Sequence, residues 1–395
     1  MRYTVGIVGG GPIGLLVAGG LAERGVNTVV FEEHENVGLP LHCAGLVTSR
    51  VLSLTPFPSE NLVLNRIKGA VIHSPLGYKL SIGGDRIHAL AIDRIAFDKA
   101  MMNYAIEKGA DVFLNNKVEE MRSYNDEIKI KTSKEELSSR FLIGADGAAS
   151  IVRRVFNFPQ PMEYLKCIGV NLLDTSFNPN YVEIFLGLNI APGFFAWIIP
   201  ITPRGTEARI GLCVNRDKLP PKHYLDKLLN HPEVQRGTER STIINYTGGI
   251  IPLGPLKKTV KSNILLVGDA AAQVKPTSGG GLYPGLSAAK YCIDAISRAV
   301  DLKTPVLIEK ALQNYHLSWM KDIGRELLFD MKLRNVFLKL TDDKIDAILR
   351  KIDQPIILET ISKYGDIDYP SKLVRYMIRN HPLKAASFLP YLFRF

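Results

Sequence analysis

The stretch that decides the fold is "GIVGGGPIGLLVAGGLAERGVNTVVFEE", residues 6–33. With the three residues before it, "YTVGIVGG" reads as a buried parallel strand stopped by glycine. "PIGLLVAGGLAERG" reads as the helix after it, and "NTVVFEE" as a second strand. Glycines fall at Gly9, Gly11 and Gly14, with Ile13 inside the turn, and an acid, Glu32, closes the second strand. This order and spacing is a dinucleotide-binding unit. Gly9 allows the tight turn, Gly11 lets the backbone approach a pyrophosphate, and Gly14 lets helix and strand pack closely. The helix N-terminus offers free N–H groups and partial positive charge to the phosphates. Glu32 can accept hydrogen bonds from ribose hydroxyls, and an acid there argues against a 2′-phosphate.

Three later stretches extend the pattern. "ALAIDRIAFDKAM", residues 89–101, carries Arg94 and Asp98. "FLIGADGAAS", residues 141–150, is an apolar strand ending in Asp146-Gly147. "NILLVGDAAAQVKPTSGGGLYPGLSAAKYCIDAI", residues 263–296, is an apolar strand ending in Gly268-Asp269, followed by a Pro-Thr-Ser-Gly-Gly-Gly turn and a small-residue helix. Together with the opening motif, these stretches resemble the FAD-dependent hydroxylase and reductase superfamily.

That resemblance implies FAD as cofactor and gives each position a role. Asp269 would bind ribityl hydroxyls, and Arg94 is a permanent cation suited to the phosphate and ribityl region. Gly279, Gly280 and Gly281 would let the backbone approach the isoalloxazine ring. The helix starting near Leu282 would aim its positive end at the flavin N1 and C2 carbonyl, where reduction develops negative charge. The adenine would be held through the backbone at Val118, in the short strand "DVFLNNKVEEM". No second GxGxxG is present, so electrons would come from an external donor, a docked reduced nicotinamide or a ferredoxin-like protein.

The choice of reaction rests on two further stretches. In "GLPLHCAGLVTSRVL", residues 38–52, the place that commonly reads Arg-Ala-Gly in aromatic hydroxylases reads Cys43-Ala44-Gly45. This resembles the geranylgeranyl reductase family. "APGFFAWIIPIT", residues 191–202, is similar to that family's Tyr-x-Trp-x-Phe-Pro motif at Phe195, Trp197, Ile199 and Pro200. Phe195 replaces the Tyr and Ile199 the Phe, so the stretch supplies an apolar substrate wall, formed by Phe195 and Trp197, without a proton donor. The resemblance implies an enzyme that saturates isolated double bonds in geranylgeranyl chains of archaeal membrane lipid, a digeranylgeranyl glycerophospholipid, or of related prenyl compounds. Hydride would go from reduced flavin to one alkene carbon and a proton from an acid to the other. Cys43 is the candidate group at the flavin edge, as acid or as pocket wall, although a free cysteine is most often a small buried hydrophobe. Three readings stay open beside this one: an aromatic or polyketide hydroxylase, an electron-transfer flavoprotein to quinone, and a lipid chaperone that retains a flavin. The cysteine in place of arginine argues against the first and the lack of cluster cysteines against the second.

Composition bounds the rest. The chain has 395 residues, 46% hydrophobic and 22% charged, enough for two or three domains with a full core. The formal net charge of +10 favours anionic partners; no nucleic-acid motif accompanies it. Cys43, Cys167, Cys213 and Cys292 show no metal or cluster spacing, and a reducing cytoplasm is the default. No run of eighteen apolar residues predicts a transmembrane helix.

The expected architecture is α/β. A Rossmann-type domain with a parallel sheet spans 1–67, 90–160 and 262–300. An antiparallel substrate-binding sheet spans 68–89 and 161–261, with alternating stretches such as "YVEIFLG" and "ARIGLCVNR". Residues 301–395 read as helices. The last stretch, from Ser371, interleaves Lys372, Arg375, Arg379, Lys384 and Arg394 with apolar residues and carries no acid. That pattern suggests a peripheral contact with a membrane surface.

Overall fold

The computed structural model describes residues 2–124, 127–215 and 219–388. Its first sheet has a parallel core in the order Ile264–Leu266, Glu136–Gly144, Arg2–Val8, Thr28–Phe31 and Asp111–Phe113. Both faces are covered, which is why these strands are nearly continuous apolar runs. Val5, Ile7, Val30, Phe141 and Ile143 face one helical layer. Val8, Val29, Phe31 and Leu142 face the other way, toward a ribbon that includes Val118, Met121 and Ile128.

The first helix, Pro12–Ala22, is wedged between the helices Arg94–Glu107 and Leu282–Ala299. This explains its glycines. A Cβ at Gly19 would lie 2.3 Å from the Tyr104 ring, and one at Gly20 2.5 Å from Ile293. Two side chains fewer let three helices approach on one side of the sheet.

The second sheet runs in the order Thr242–Leu253, Glu163–Leu173, Glu207–Val214, Ala196–Pro200, Tyr181–Phe185, Gly69–His73 and Lys79–Gly83. It is antiparallel except where Tyr181–Phe185 meets Gly69–His73 in parallel. Strict alternation sorts its residues. Ala208, Ile210, Leu212 and Val214 pack with Tyr224, Leu225 and Leu228 of the helix Pro221–Leu229. Arg209, Gly211 and Cys213 take the opposite face, toward the first domain. A small antiparallel sheet, Leu46–Val47, Ala89–Ile92 and Val63–Ile67, joins the two.

Beyond residue 300 the chain is helical. Pro305–Trp319 runs through a π turn at Met320–Gly324 into Arg325–Phe337. Asp342–Ile352, Pro355–Tyr364, Pro370–Asn380 and Pro382–Ala386 follow. Several start on proline, whose fixed φ and missing N–H suit a first helical position. These helices are tied to both sheets: Arg334 Nε donates to Glu163 at 2.8 Å, Ser74 to Asp346, and Lys275 to Asp368 at 2.7 Å. Arg394 lies outside the described residues.

Two sequence expectations need correction. Residues 111–121 are two elements, not one strand: Asp111–Phe113 ends the parallel sheet, and Val118–Tyr124 belongs to the antiparallel ribbon. Asn115, at φ +50°, turns the chain between them, and Asn115 and Asn116 donate N–H groups to the carbonyls of His34 and Glu32. The four cysteines are also not all free. Cys167 and Cys213, directly opposed on neighbouring strands, form a disulfide across 46 residues of sequence, leaving Cys43 and Cys292 free. Cross-strand register creates that pair, and sequence spacing gives no sign of it.

Candidate active site

The dinucleotide turn is built as its spacing requires. Gly9 sits at φ +104°, where a Cβ would lie 2.4 Å from the Ala145 carbonyl oxygen. At Gly14 a Cβ would lie 2.3 Å from the Gly9 oxygen. A side chain at either position would push the helix off the strands. Gly11 differs: nothing lies within 4 Å of its would-be Cβ, and no side chain caps the helix it begins. No side chain competes for the free N–H groups that follow Pro12, and the backbone at Gly11 can be approached closely, which suits an anion. Ile13 faces the other way, against Gly268 and Gly285.

Glu32 is buried at the end of its strand. Its Oε2 accepts the Gly10 N–H at 2.7 Å, and its Oε1 the His34 N–H at 2.9 Å. This fixes the carboxylate at the rim of the glycine turn. Val118, 5% exposed, begins its ribbon strand beyond it.

Asp269 follows the strand Ile264–Leu266, in the short turn Gly268–Ala271. Among the described residues no group donates a hydrogen bond to its carboxylate. Burial pushes its pKa up to about 6, against the opposing fields of Arg94 and Arg153. Gly281 lies against it, where a Cβ would come 2.7 Å from Asp269 Oδ1. The loop Lys275–Gly281 and the start of the helix at Leu282 thus stand beside a half-buried carboxyl that lacks a donor among the described residues. Arg94, mostly buried, pairs with both oxygens of Asp98 at 3.0 Å and faces Cys43. Asp146, in contrast, is a local cap: its carboxylate accepts Ser150 Oγ at 2.6 Å and the Val152 N–H at 3.0 Å.

The loop of Cys43, Ala44 and Gly45 lies between the two sheets. Gly45 N–H points at Cys43 Sγ, 3.3 Å away. Arg209, from the second sheet, donates to the Ala44 carbonyl at 2.9 Å, and His42 Nδ1 meets the Gly248 carbonyl. Sequence reasoning did not single out Arg209; a lone arginine in an apolar alternating strand was the available signal. The face of the second sheet behind this loop is apolar. Phe194 and Phe195 stack at 4.3 Å, Phe195 meets Trp197 edge-on at 6.1 Å, and the Trp197 ring covers Gly211. The Cys167–Cys213 disulfide and Ile251 continue the same cluster.

The site residues foreseen from sequence therefore fall into three groups. Gly9, Gly11, Gly14 and Glu32 come together at the glycine turn. Arg94 and Cys43 face one another, and Arg94 acts on Asp269, beside Gly281. Phe195 and Trp197 belong to the apolar wall, which reaches Gly279 through Phe194, 3.6 Å from its would-be Cβ.

Residues 4–354 match the family model described as lycopene cyclase protein. The chain belongs to that family. Within it, an uncharacterized protein of Methanocaldococcus jannaschii is 32% identical over 382 residues, covering 94% of this chain and 93% of its own. The digeranylgeranylglycerophospholipid reductase of the same organism is 28% identical over 364 residues, with 90% and 91% covered. Among solved structures, a geranylgeranyl bacteriochlorophyll reductase-like protein from Thermoplasma acidophilum superposes with a TM-score of 0.81 at 20% identity, covering 99% of each chain. The p-nitrophenol 4-monooxygenase of Pseudomonas putida reaches 0.69 at 16% identity, covering 92% and 97%. The fold of this family member is thus shared by enzymes whose names indicate different chemistries.

Proposed function

We propose that the protein is an FAD-dependent reductase that saturates isolated C=C bonds in the geranylgeranyl chains of a digeranylgeranyl glycerophospholipid or a related prenyl lipid. The carrying observation is the pairing of a dinucleotide site with an apolar aromatic wall. Phe194 and Ile251 lie against Gly279 of the Lys275–Gly281 loop and form one apolar cluster with Phe195 and Trp197, in which the indole N–H of Trp197 is the polar exception. Relatives named digeranylgeranylglycerophospholipid reductase support the choice of substrate class.

The residues present fit FAD. The uncapped helix at Gly11 suits the pyrophosphate and Glu32 the ribose. Asp269, a half-buried carboxyl with no donor among the described residues, suits the ribityl hydroxyls. The N-terminus of Leu282–Ala299 suits the anionic end of a reduced ring. FAD, when bound and reduced, supplies a hydride. The protein's part is to hold the alkene over it, exclude water and provide a proton, because an isolated alkene has no carbonyl to take up developing charge. Electrons arrive from an external donor, a reduced nicotinamide or a ferredoxin-like protein.

The lipid lies in a membrane. No described helix is long and apolar enough to cross one. Docking by the basic, exposed side of Pro370–Asn380, with Lys372, Arg375, Arg379 and Ile378, would bring the enzyme to its substrate.

The test uses the full chain, reconstituted with FAD and reduced without oxygen. Adding a digeranylgeranyl glycerophospholipid should reoxidise the flavin and add two mass units per bond reduced. Reoxidation by oxygen with hydroxylation of an aromatic substrate, or by quinone alone, would overturn the reading.

A further inference from the structure

Asp330, on the helix Arg325–Phe337, is fully buried. One oxygen, Oδ2, lies 3.1 Å from the hydroxyl of Thr277, in the glycine-rich loop; the other, Oδ1, has no partner. Ser278 Oγ, the next residue of that loop, is also buried and unpaired.

A structural acid at this depth would be expected to pair with a cation. Two buried cations stand nearby, and each has its own carboxylate. Lys275 is held by Asp368 at 2.7 Å, and Arg334, one helical turn along from Asp330, by Glu163 at 2.8 Å. Asp368 is further shared with Arg50 at 2.9 Å. Glu326, one turn before Asp330, accepts both groups of Ser371, at 2.7 and 2.6 Å, and repels a charge on Asp330. Burial, Glu326 and Asp368 together outweigh Thr277 and Lys275 and push the Asp330 pKa up to about 7. A neutral carboxyl also suits the orphaned oxygen, since an unpaired carbonyl oxygen costs far less than an unpaired buried charge. The Thr277 hydroxyl donates to Asp330 Oδ2 at 3.1 Å; once the acid carries a proton on that oxygen, the same contact can run from carboxyl to hydroxyl and free the Thr277 O–H to donate onward. Met331, next on the helix, packs with Phe194 and Val274 in the cluster that forms the apolar wall. Asp330 thus touches the loop proposed to carry the flavin, and its chain neighbour Met331 touches the wall.

We propose that Asp330 is the proton reservoir of the alkene reduction and acts through the Thr277 hydroxyl. The inference rests on the reductase reading above. The cofactor, when bound and reduced, would supply the electron pair as hydride to one alkene carbon. Thr277 gives its proton to the other carbon while Asp330 gives its own to the Thr277 oxygen. One O–H bond at Asp330 is broken, two C–H bonds are formed on the substrate, and the Asp330 carboxylate is reprotonated by water after product leaves. Asp330 is a positioning residue here, because Thr277 makes the contact with substrate.

Two variants test this in the FAD-loaded full chain. Asp330→Asn keeps the shape and the bond to Thr277 but carries no acidic proton; Thr277→Val keeps the shape and breaks the relay. Both should retain FAD and slow single-turnover reoxidation by digeranylgeranyl lipid on the order of a hundredfold or more, the range of general acid groups. A second readout does not need turnover. The midpoint potential of bound FAD against pH should bend differently around neutral pH in the wild type and in Asp330→Asn, because ionised Asp330 opposes the reduced anion, whereas the titration of the reduced flavin itself is common to both. Wild-type rates in both variants, or the same bend in Asp330→Asn as in the wild type, would overturn the proposal. If lipid fails to reoxidise the wild-type flavin, the reductase reading falls, and the difference between the two curves still reports whether Asp330 titrates beside the cofactor.

Discussion

Arg209 and Ala44 join the two sheets at the candidate site: the guanidinium Nη1 donates to the Ala44 carbonyl at 2.9 Å and also to Ile92 at 3.0 Å. The arginine is 7% exposed, so a buried cation adds to the packing of Ala44 in holding the cysteine loop. Charged hydrogen bonds of this kind each contribute about 1.5–3 kcal/mol. Arg209→Met should lower the unfolding midpoint by several degrees and speed FAD release, with the helical content unchanged. Calorimetry and a flavin-release assay check this. An unaltered release rate would show that the loop does not need the tie.

Gly9 and Gly11 should respond differently to the same change. Gly9→Ala forces a Cβ into a left-handed residue and onto the Ala145 oxygen. The cost should be on the order of 2 kcal/mol or more, seen in denaturant unfolding of the apoprotein. Gly11→Ala meets nothing within 4 Å, so apoprotein stability should change by about 0.5 kcal/mol or less. FAD affinity should nonetheless fall at least about tenfold, because the methyl group occupies the approach of the pyrophosphate. Equal loss of stability in both variants would contradict this.

Asp269 gives a pH dependence with a definite sign. Its folded-state pKa, about 6, is raised above the ordinary carboxylate value of 3.8. The neutral form is favoured in the fold, so its contribution is full below about pH 4 and is lost as pH rises through about 6, by about 3 kcal/mol in all. Apoprotein stability should therefore fall over that window relative to Asp269→Asn, a difference in which other acids cancel. FAD binding should show the reverse trend. Ribityl donors stabilise the carboxylate, so affinity should rise with pH to about 6 in the wild type and stay flat in the variant.

Cys43 faces Arg94 and accepts the Gly45 N–H weakly at 3.3 Å, so it is not a packed core residue. Cys43→Ala should keep FAD and lower the reoxidation rate by lipid on the order of tenfold or more. Unchanged kinetics would reduce Cys43 to a filler of space.

Membrane docking should be tested by charge rather than by truncation. Ser371 caps the buried Glu326, and Tyr376 stacks on Tyr364 at 3.9 Å, so deleting the segment would disturb the fold. Replacing Lys372, Arg375 and Arg379 with Gln leaves those contacts. Sedimentation with anionic vesicles should drop about 3 kcal/mol in binding free energy at low salt, near 1 kcal/mol per charge, and less at high salt. Equal binding at all salt concentrations would refute the contact.

The local sequence determined the parts of this protein that depend on near neighbours. The Gly9–Gly14 turn, its helix and Glu32 lie within one βαβ unit, where glycine conformation, strand hydrophobicity and helix start are set by adjacent residues. The same holds for the strand ending at Asp269 and the glycines at 279–281. Only the tertiary structure decided what comes together from afar. Cys167 meets Cys213 because two strands share a register. Asp330 meets Thr277 because a C-terminal helix crosses the glycine-rich loop 53 residues away. Arg209 meets Ala44 because alternation in one strand turns every second residue toward another domain. Pairings of this kind are fixed by burial of whole faces, and a buried acid without a cation becomes visible only once those faces have met.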